Sequence, residues 1–496
     1  MRRPSEAQVR PWFALFLAHP AATKLICWRL TVHTTYPACF AAMVAAGLPP
    51  IKHQPAESQP CFATMDIDID TPSSSPRGRS SCAGFDLRCL LSVVAGGMFT
   101  VFLLAVSQAA LPSASIFLQR YSHATQSQST SPPRFAYLVS GSKGDAARLR
   151  RCLLALYHPR NRYILHLDAE APDSDRAELA AFVAAHPVLA AAGNVRVVEK
   201  ANLVTYRGIT MVTTTLHAAA AFLHGPGTAD WDWFINLSAS DYPLVTQDDL
   251  MDVFSRLPRD LNFIEHTSDM GWKAHARAKP LVVDPGLYLK TKRDLMWMNT
   301  ETQKRELPTA FTLFTGSAWT VLSRPFVEYL IGGWDNLPRT LLLYYGNFVS
   351  SPEGYFQTLA CNADEFRNTT VNHDMHYISW GKPLGQHPEL INATHWDRML
   401  GSDAPFARKF GRDPNDVVLA RIDEELLSRQ PGMVIPGGWC AGNVGRRGDD
   451  DHCSAVGDAA LLHSGPGSVR LQRLVESLLS EDNFRPKQCK IVEHND

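Results

Sequence analysis

Between residues 230 and 244 the chain reads DWDWFINLSASDYPL, three carboxylates around one apolar run. Two carboxylates one residue apart, such as Asp230 and Asp232, can grip a divalent cation when they follow a strand. Here they precede WFINLS, and ligands of a parallel sheet bind beyond the C-terminal strand ends. The pair therefore reads as a surface lead-in. The acid at the ligand end is Asp241, alone in SASDYP, where it can also be a plain turn residue before Tyr-Pro. One carboxylate is a poor grip for Mg²⁺ or Mn²⁺. No metal site is expected, and basic side chains must do the charge neutralisation. Asp168 ends RYILHLD, where it can accept hydrogen bonds from a nucleoside or cap the next helix. Glu353 in SSPEGYFQTL follows Pro352 at the entry of a helix, a place for a functional acid or for a carboxylate favoured by the helix dipole. PFARKFG offers Arg408 and Lys409, and HWDRML offers Arg398. Taken alone, such cations describe a solvated basic surface.

The elements that must position these groups alternate. FAYLVSG (Phe135–Gly141) is a buried-strand run closed by Gly. DAARLRRCLLALYH is a helix, RYILHL a strand, SDRAELAAFVAAH a helix and VRVVEK a strand. ITMVTTTLHAAAAFLHG is a long helix, and WFINLS is the next strand. Such alternation implies an α/β fold with a doubly wound, mostly parallel sheet. Gly141, Asp168 and Asp241 then lie at strand ends, and Val139 and Ser140 would offer backbone contacts to a nucleoside. The globular domain spans 134–430. Beyond Pro431, Gly and Asp dominate before LQRLVESLL, and 431–496 reads as a cysteine-containing appendix.

Forty-eight basic against forty-nine acidic residues give a net charge of −1, so no global basic field points to nucleic acid. Residues 89–111 form an apolar segment whose core, Leu90–Val106, carries no charge and can cross a bilayer of ~30 Å. Arg77, Arg79 and Arg88 precede it, which puts residues 1–88 on the cytosolic side and the large C-terminal part in a lumen. Residues 112–133 read as a polar stem. Residues 1–64 lack a sustained period, while Met65 opens an ordinary short tail. The expectation is that 1–64 is a mispredicted extension, with a transit peptide as the alternative. Five cysteines fall on the lumenal side: Cys152, Cys361, Cys440, Cys453 and Cys489. Cys440 and Cys453 flank a polar loop and are the expected disulfide. A zinc site using His452 is the alternative, without a Cys-x-x-Cys pair to support it. Of the three Asn-x-Ser/Thr sequons, Asn368 and Asn392 lie in polar loops and can carry glycans, whereas Asn236 lies inside a strand.

Taken in order, YILHLD, FINLSASDYPL, FTGSAWTVLSRPFVEYL, SSPEGYFQTLACN and PFARKFG resemble the core-2/I-branching and peptide O-xylosyltransferase family of Golgi glycosyltransferases. The plant branch, with β-glucuronosyltransferases acting on arabinogalactan, is the most similar part. The resemblance covers about Phe135 to Leu427. It implies a GT-A nucleotide-sugar fold, inversion at the anomeric carbon and catalysis without a metal. It implies Glu353 as base, with Gly354 where some relatives carry a second acid. Lys409 and Arg398 are implied on the diphosphate. Val139, Ser140, Asp168 and Asp241 are implied on the donor, and Trp319 on the acceptor side. Trp380 and Trp396 are candidate sugar platforms. The implied donor is UDP-glucuronic acid, whose carboxylate would want a basic partner such as Arg277, Lys279 or Lys290. UDP-xylose or UDP-N-acetylglucosamine is the alternative donor. A catalytically silent carbohydrate-binding scaffold is the alternative from another class. The implied acceptor is a polysaccharide or glycoprotein glycan. The implied place is the Golgi membrane, as a single-pass type II protein, with other transferases as possible partners.

Overall fold

The computed structural model describes residues 131–492 apart from 226–229, 299–303, 384, 386, 414–415, 442–452 and 454. The 1–88 tail, the apolar 89–111 segment, most of the stem and His452 lie outside the described residues. Among the described residues no helix is long and apolar enough to cross a membrane.

The chain begins as its sequence alternation requires. β1 (Phe135–Gly141), α1 (Ala146–Leu156), β2 (Arg162–Leu167), α2 (Asp173–Ala185), a further short helix (Pro187–Ala192), β3 (Val195–Val197), α3 (Ile209–His224) and β4 (Trp233–Ser238) come in that order. β1 lies between β2 and β4 and is parallel to both. Side chains alternate across it. Phe135, Tyr137 and Val139 enter one core with α1, while Ala136 and Leu138 enter another with α3. Helices therefore cover both faces, which is why β1 can be apolar on both.

β5 (Asp241–Pro243), α4 (Gln247–Ser255) and β6 (Asn262–Ile264) come next, then a two-stranded ribbon of β7 (Val282–Val283) and β8 (Met296–Trp297). β9 (Thr320–Ser323), α5 (Arg324–Gly332), α6 (Leu337–Tyr345), α7 (Tyr355–Asn362) and β10 (Thr370–Val371) complete the main sheet. Its order is β10-β6-β9-β4-β1-β2-β3. All strands run one way except β9, which is antiparallel to β4 and β6. The reason is local. β6 ends at the ligand edge, and among the described residues between it and β9 no α-helix crosses back over the sheet.

A second small sheet, ordered β11-β12-β5, joins β11 (His376–Ile378) and β12 (Phe406–Arg408) to β5. Between and after them lie α8 (Trp396–Gly401), α9 (Val417–Glu425) and α10 (Pro466–Leu479). β12 pairs with β5 so that Arg408 stands opposite Asp241.

The segment after 430 is not an appendix. Trp439, Leu471 and Val475 are buried in the same core as Phe135 and Phe254. Asp248 accepts the backbone N–H groups of Gly438 and His463 at 2.8 and 2.7 Å, and Asp249 accepts that of Gly465 at 2.6 Å. Those two acids look like ordinary helix-start carboxylates in sequence, so their long-range role was hidden. Cys440 pairs with Cys453, and Cys361 pairs with Cys489 across 128 residues. Cys152 is the odd thiol, buried and free.

Candidate active site

Asp241 is fully buried at the start of β5. Its Oδ2 accepts the Ser238 N–H at 2.6 Å, which fixes the turn after β4. Its Oδ1 faces the Arg408 Nε at 3.6 Å. That oxygen, and the Arg408 Nε and Nη1, are buried with no hydrogen-bond partner. Buried polar atoms left in that state are costly unless a ligand takes them. The Arg408 guanidinium lies over the half-buried Trp319 ring at 4.1 Å. Lys409 follows. Burial lowers its pKa, and Arg408, Arg148 and Arg412 push the same way. Arg148 is held by Asp145 at 2.6 Å and by the Ser240 hydroxyl at 3.0 Å. A group of cations thus surrounds the turn after β4, suited to an anion with several oxygens.

Asp168 ends β2 and is buried. Its Oδ1 accepts the Glu170 N–H at 3.1 Å, an Asx turn, and does not cap α2, which starts after Pro172. Both carboxylate oxygens also meet the Ser142 hydroxyl, at 3.0 and 3.1 Å. Lys292 Nζ reaches Asp168 Oδ2 at 3.2 Å and Glu170 Oε2 at 2.9 Å. Val139 and Ser140 differ from expectation. Both are paired with β2 and β4 on either side, and the Ser140 carbonyl accepts the Ala239 N–H at 2.8 Å. A central strand has no spare backbone groups; Ser142, beyond the strand end, is the accessible polar group.

Glu353 lies in a short turn, Ser351–Glu353, ahead of α7. Its carboxylate is bonded by Arg277 Nη1 at one oxygen and by the Ser350 hydroxyl, 3.1 Å away, at the other. Its carbonyl accepts the Gly316 N–H and the Thr315 hydroxyl, each at 3.0 Å. The side chain therefore does not serve the helix dipole; it is positioned from outside and stays about a third open, at 35% exposure. Gly316 is required here, since a Cβ would lie 1.8 Å from the Glu265 carbonyl oxygen. Arg277 sits in a single π-turn, Ala274–Ala278, an irregularity that often marks functional positions. Glu265 stands in the field of Lys273 and Glu353, and its carboxyl is pushed up to about 7, first by desolvation and then by Asp374.

Several expected residues lie elsewhere. Arg398 is exposed on α8, and among the described residues no hydrogen bond or ion pair joins it to Asp241 or Arg408. Trp396 is buried beneath Arg421 at 3.9 Å and offers no platform, whereas Trp380 is 48% exposed. Asn368 and Asn392 are exposed. Asn236 is buried, its amide donating to the Ala318 carbonyl and accepting from Thr320, so no glycan fits there. Asp232 accepts the Arg134 N–H at 2.8 Å at the far end of β4, and Asp230 pairs with the Arg134 side chain. Three metal-type donors converge at one place among the described residues, His266 with Cys361 and Cys489, and the two sulfurs are bonded to each other. Two cavities, of about 810 and 380 Å³, are not lined by Asp168, Asp241 or Glu353. The groups with chemistry line the open cleft at the strand ends, where a large polar ligand needs no enclosed cavity.

Glu265, Lys292 and Ser142 have no signal in the sequence reading, and Arg277 stands in it for another role. A family model described as "Branch: Core-2/I-Branching enzyme" matches residues 135–399. The chain is 61% identical over 360 residues to beta-glucuronosyltransferase GlcAT14A of Arabidopsis thaliana, covering 73% of this chain and 78% of that one. It is 46% identical over 397 residues to GlcAT14C of the same plant, covering 79% and 95%. Xylosyltransferase 2 of Homo sapiens is 28% identical over 335 residues, covering 62% and 36%.

Proposed function

This chain belongs to the core-2/I-branching enzyme family and is a glycosyltransferase, and from that premise we propose that it is a β-glucuronosyltransferase of the GT-A type. It moves glucuronic acid from UDP-glucuronic acid to the galactan chains of type II arabinogalactan in one inverting displacement. The observation that carries this is the cleft in which a positioned carboxylate, Glu353, shares the ligand edge of the sheet with a cation group around Asp241. The high identity to plant glucuronosyltransferases supports the choice of donor.

In this reading an acceptor hydroxyl attacks the anomeric carbon and gives its proton to Glu353. The bond from that carbon to the β-phosphate oxygen breaks, and its electron pair leaves with UDP. Lys409 and Arg408 meet the charge that develops on the diphosphate. Asp168 and Ser142 hold the nucleoside so that attack is in line. Asp241 already faces an arginine, so it is poorly placed to share a divalent cation. Activity without a metal is therefore part of the proposal. So is residence of the domain in the Golgi lumen behind a signal anchor, with Asn368 and Asn392 as glycan sites.

Purified lumenal domain offered radiolabelled UDP-glucuronic acid, UDP-xylose and UDP-N-acetylglucosamine with a β-galactan, in EDTA, tests this. Incorporation from UDP-glucuronic acid in EDTA is expected. Incorporation from another donor alone, from none, or only with Mn²⁺ contradicts the corresponding part.

A further inference from the structure

Most cations that border the cleft already face an acid. Arg277 binds Glu353, Arg148 binds Asp145, Lys292 binds Asp168 and Glu170, and Arg408 faces Asp241. Lys273 stands in the field of Glu353 and Glu265. Arg207 differs. Among the described residues no hydrogen bond or ion pair is made by its guanidinium, and its Nε is buried without a partner. Its charged end rests only near the Tyr206 ring, 5.7 Å away.

The backbone of Arg207 is built into the site. Its φ is 64°, a conformation uncommon for a non-glycine residue. Its carbonyl accepts the N–H groups of Ser350 and Ser351, at 2.9 and 3.4 Å. Ser350 in turn bonds Glu353. The residue thus buttresses the turn that carries the base. Tyr206 beside it is half exposed. Burial raises its pKa, Glu353 adds to the rise, and Arg207, Arg408 and Arg277 oppose it. Through Ser350 the backbone of Arg207 adjoins the turn of Glu353, and Tyr206 beside it lies in the field of Glu353, Arg408 and Arg277 together. The transferred sugar must sit between the group that takes the proton and the groups that face the diphosphate.

A glucuronosyl donor carries two anionic parts, the diphosphate and the sugar carboxylate. The first has Arg408 and Lys409. We propose that Arg207 receives the second, pairing with the C6 carboxylate, and that it sets the preference for an acidic over a neutral sugar. This rests on the donor reading above. It takes the place of all three expected partners: Arg277, whose guanidinium is already bonded to Glu353, Lys279, and the exposed Lys290. A planar fork suits a carboxylate better than an ammonium does.

Calorimetric titration of wild type, Arg207→Met and Arg207→Lys with UDP-glucuronic acid, UDP-glucose and UDP tests the assignment. Arg207→Met should weaken UDP-glucuronic acid roughly 10- to 100-fold, the scale of one lost charged hydrogen-bonded contact. It should not weaken UDP-glucose or UDP. Arg207→Lys keeps the charge and should fall between, and it serves if the Met variant does not fold. Equal weakening of all three ligands, or none, overturns the role of Arg207 while leaving the donor reading intact. A wild type that binds UDP-glucose more tightly than UDP-glucuronic acid overturns the donor reading and this inference together.

Discussion

Asp241 and Arg408 face one another at 3.6 Å with three of their polar atoms buried and unbonded. A pair of this kind is most costly when half of it is removed, because the remaining charge has neither water nor partner. Arg408→Met should therefore destabilise the domain by about 3 kcal/mol. Adding Asp241→Asn should recover a measurable part, since the neutral amide needs no counter-charge. Denaturant unfolding of the two single variants and the double variant measures this, and a double variant no more stable than Arg408→Met contradicts the pairing. At this scale the acids were legible and their pairings with cations were not. Asp168 and Asp241 close apolar runs, so their place follows from periodicity. Lys292 and Arg277 come from an excursion without a period and meet their acids across 124 and 76 residues. No local pattern encodes that meeting. Arg408 itself sat next to the expected Lys409, and the antiparallel register with β5 decides which of the two faces Asp241.

Elements carry the second kind of prediction. β2 ends in His166-Leu167, just before Asp168, and His166 is buried with its Nε2 accepting the Asn202 N–H at 3.2 Å. Burial first, then His217 and Arg176, push its pKa down to about 4. The unfolded chain binds a proton there near pH 6.5, whereas the folded chain does not until about pH 4. Stability from this group is complete above pH 6.5 and is lost as pH falls toward 4, up to about 3 kcal/mol. His166→Gln should flatten the stability profile between pH 6.5 and 4, as read from denaturant midpoints across that range. An unchanged slope contradicts the burial of a neutral imidazole at the nucleoside end of the cleft. Most strands and helices up to β4 were legible because they are long and periodic; the three-residue β3 and the short helix Pro187–Ala192 are neither. β9 is antiparallel within a mostly parallel sheet, and its direction depends on where the preceding excursion returns, which composition does not record.

The domain formed by the described residues is more continuous than its sequence suggests. Residues after 430 contain many Gly and Asp, and their few large apolar side chains are widely spaced, so no window shows a core signal. Trp439 nevertheless packs edge-on against Tyr157, with ring centroids 5.8 Å apart. The Cys361–Cys489 bond ties the C-terminal strap to α7, the helix that follows Glu353. The strap therefore braces the same region that orients the base. Family, sheet and base converge on one reaction, so the most direct test removes the proton acceptor and nothing else. Glu353→Gln keeps the size of the side chain and a hydrogen bond to Ser350. Glucuronosyl transfer to β-galactan by this variant should fall by roughly 10²- to 10⁴-fold while its affinity for UDP stays that of the wild type. Turnover that survives the substitution at the wild-type rate would contradict Glu353 as the base, and with it the account of the cleft.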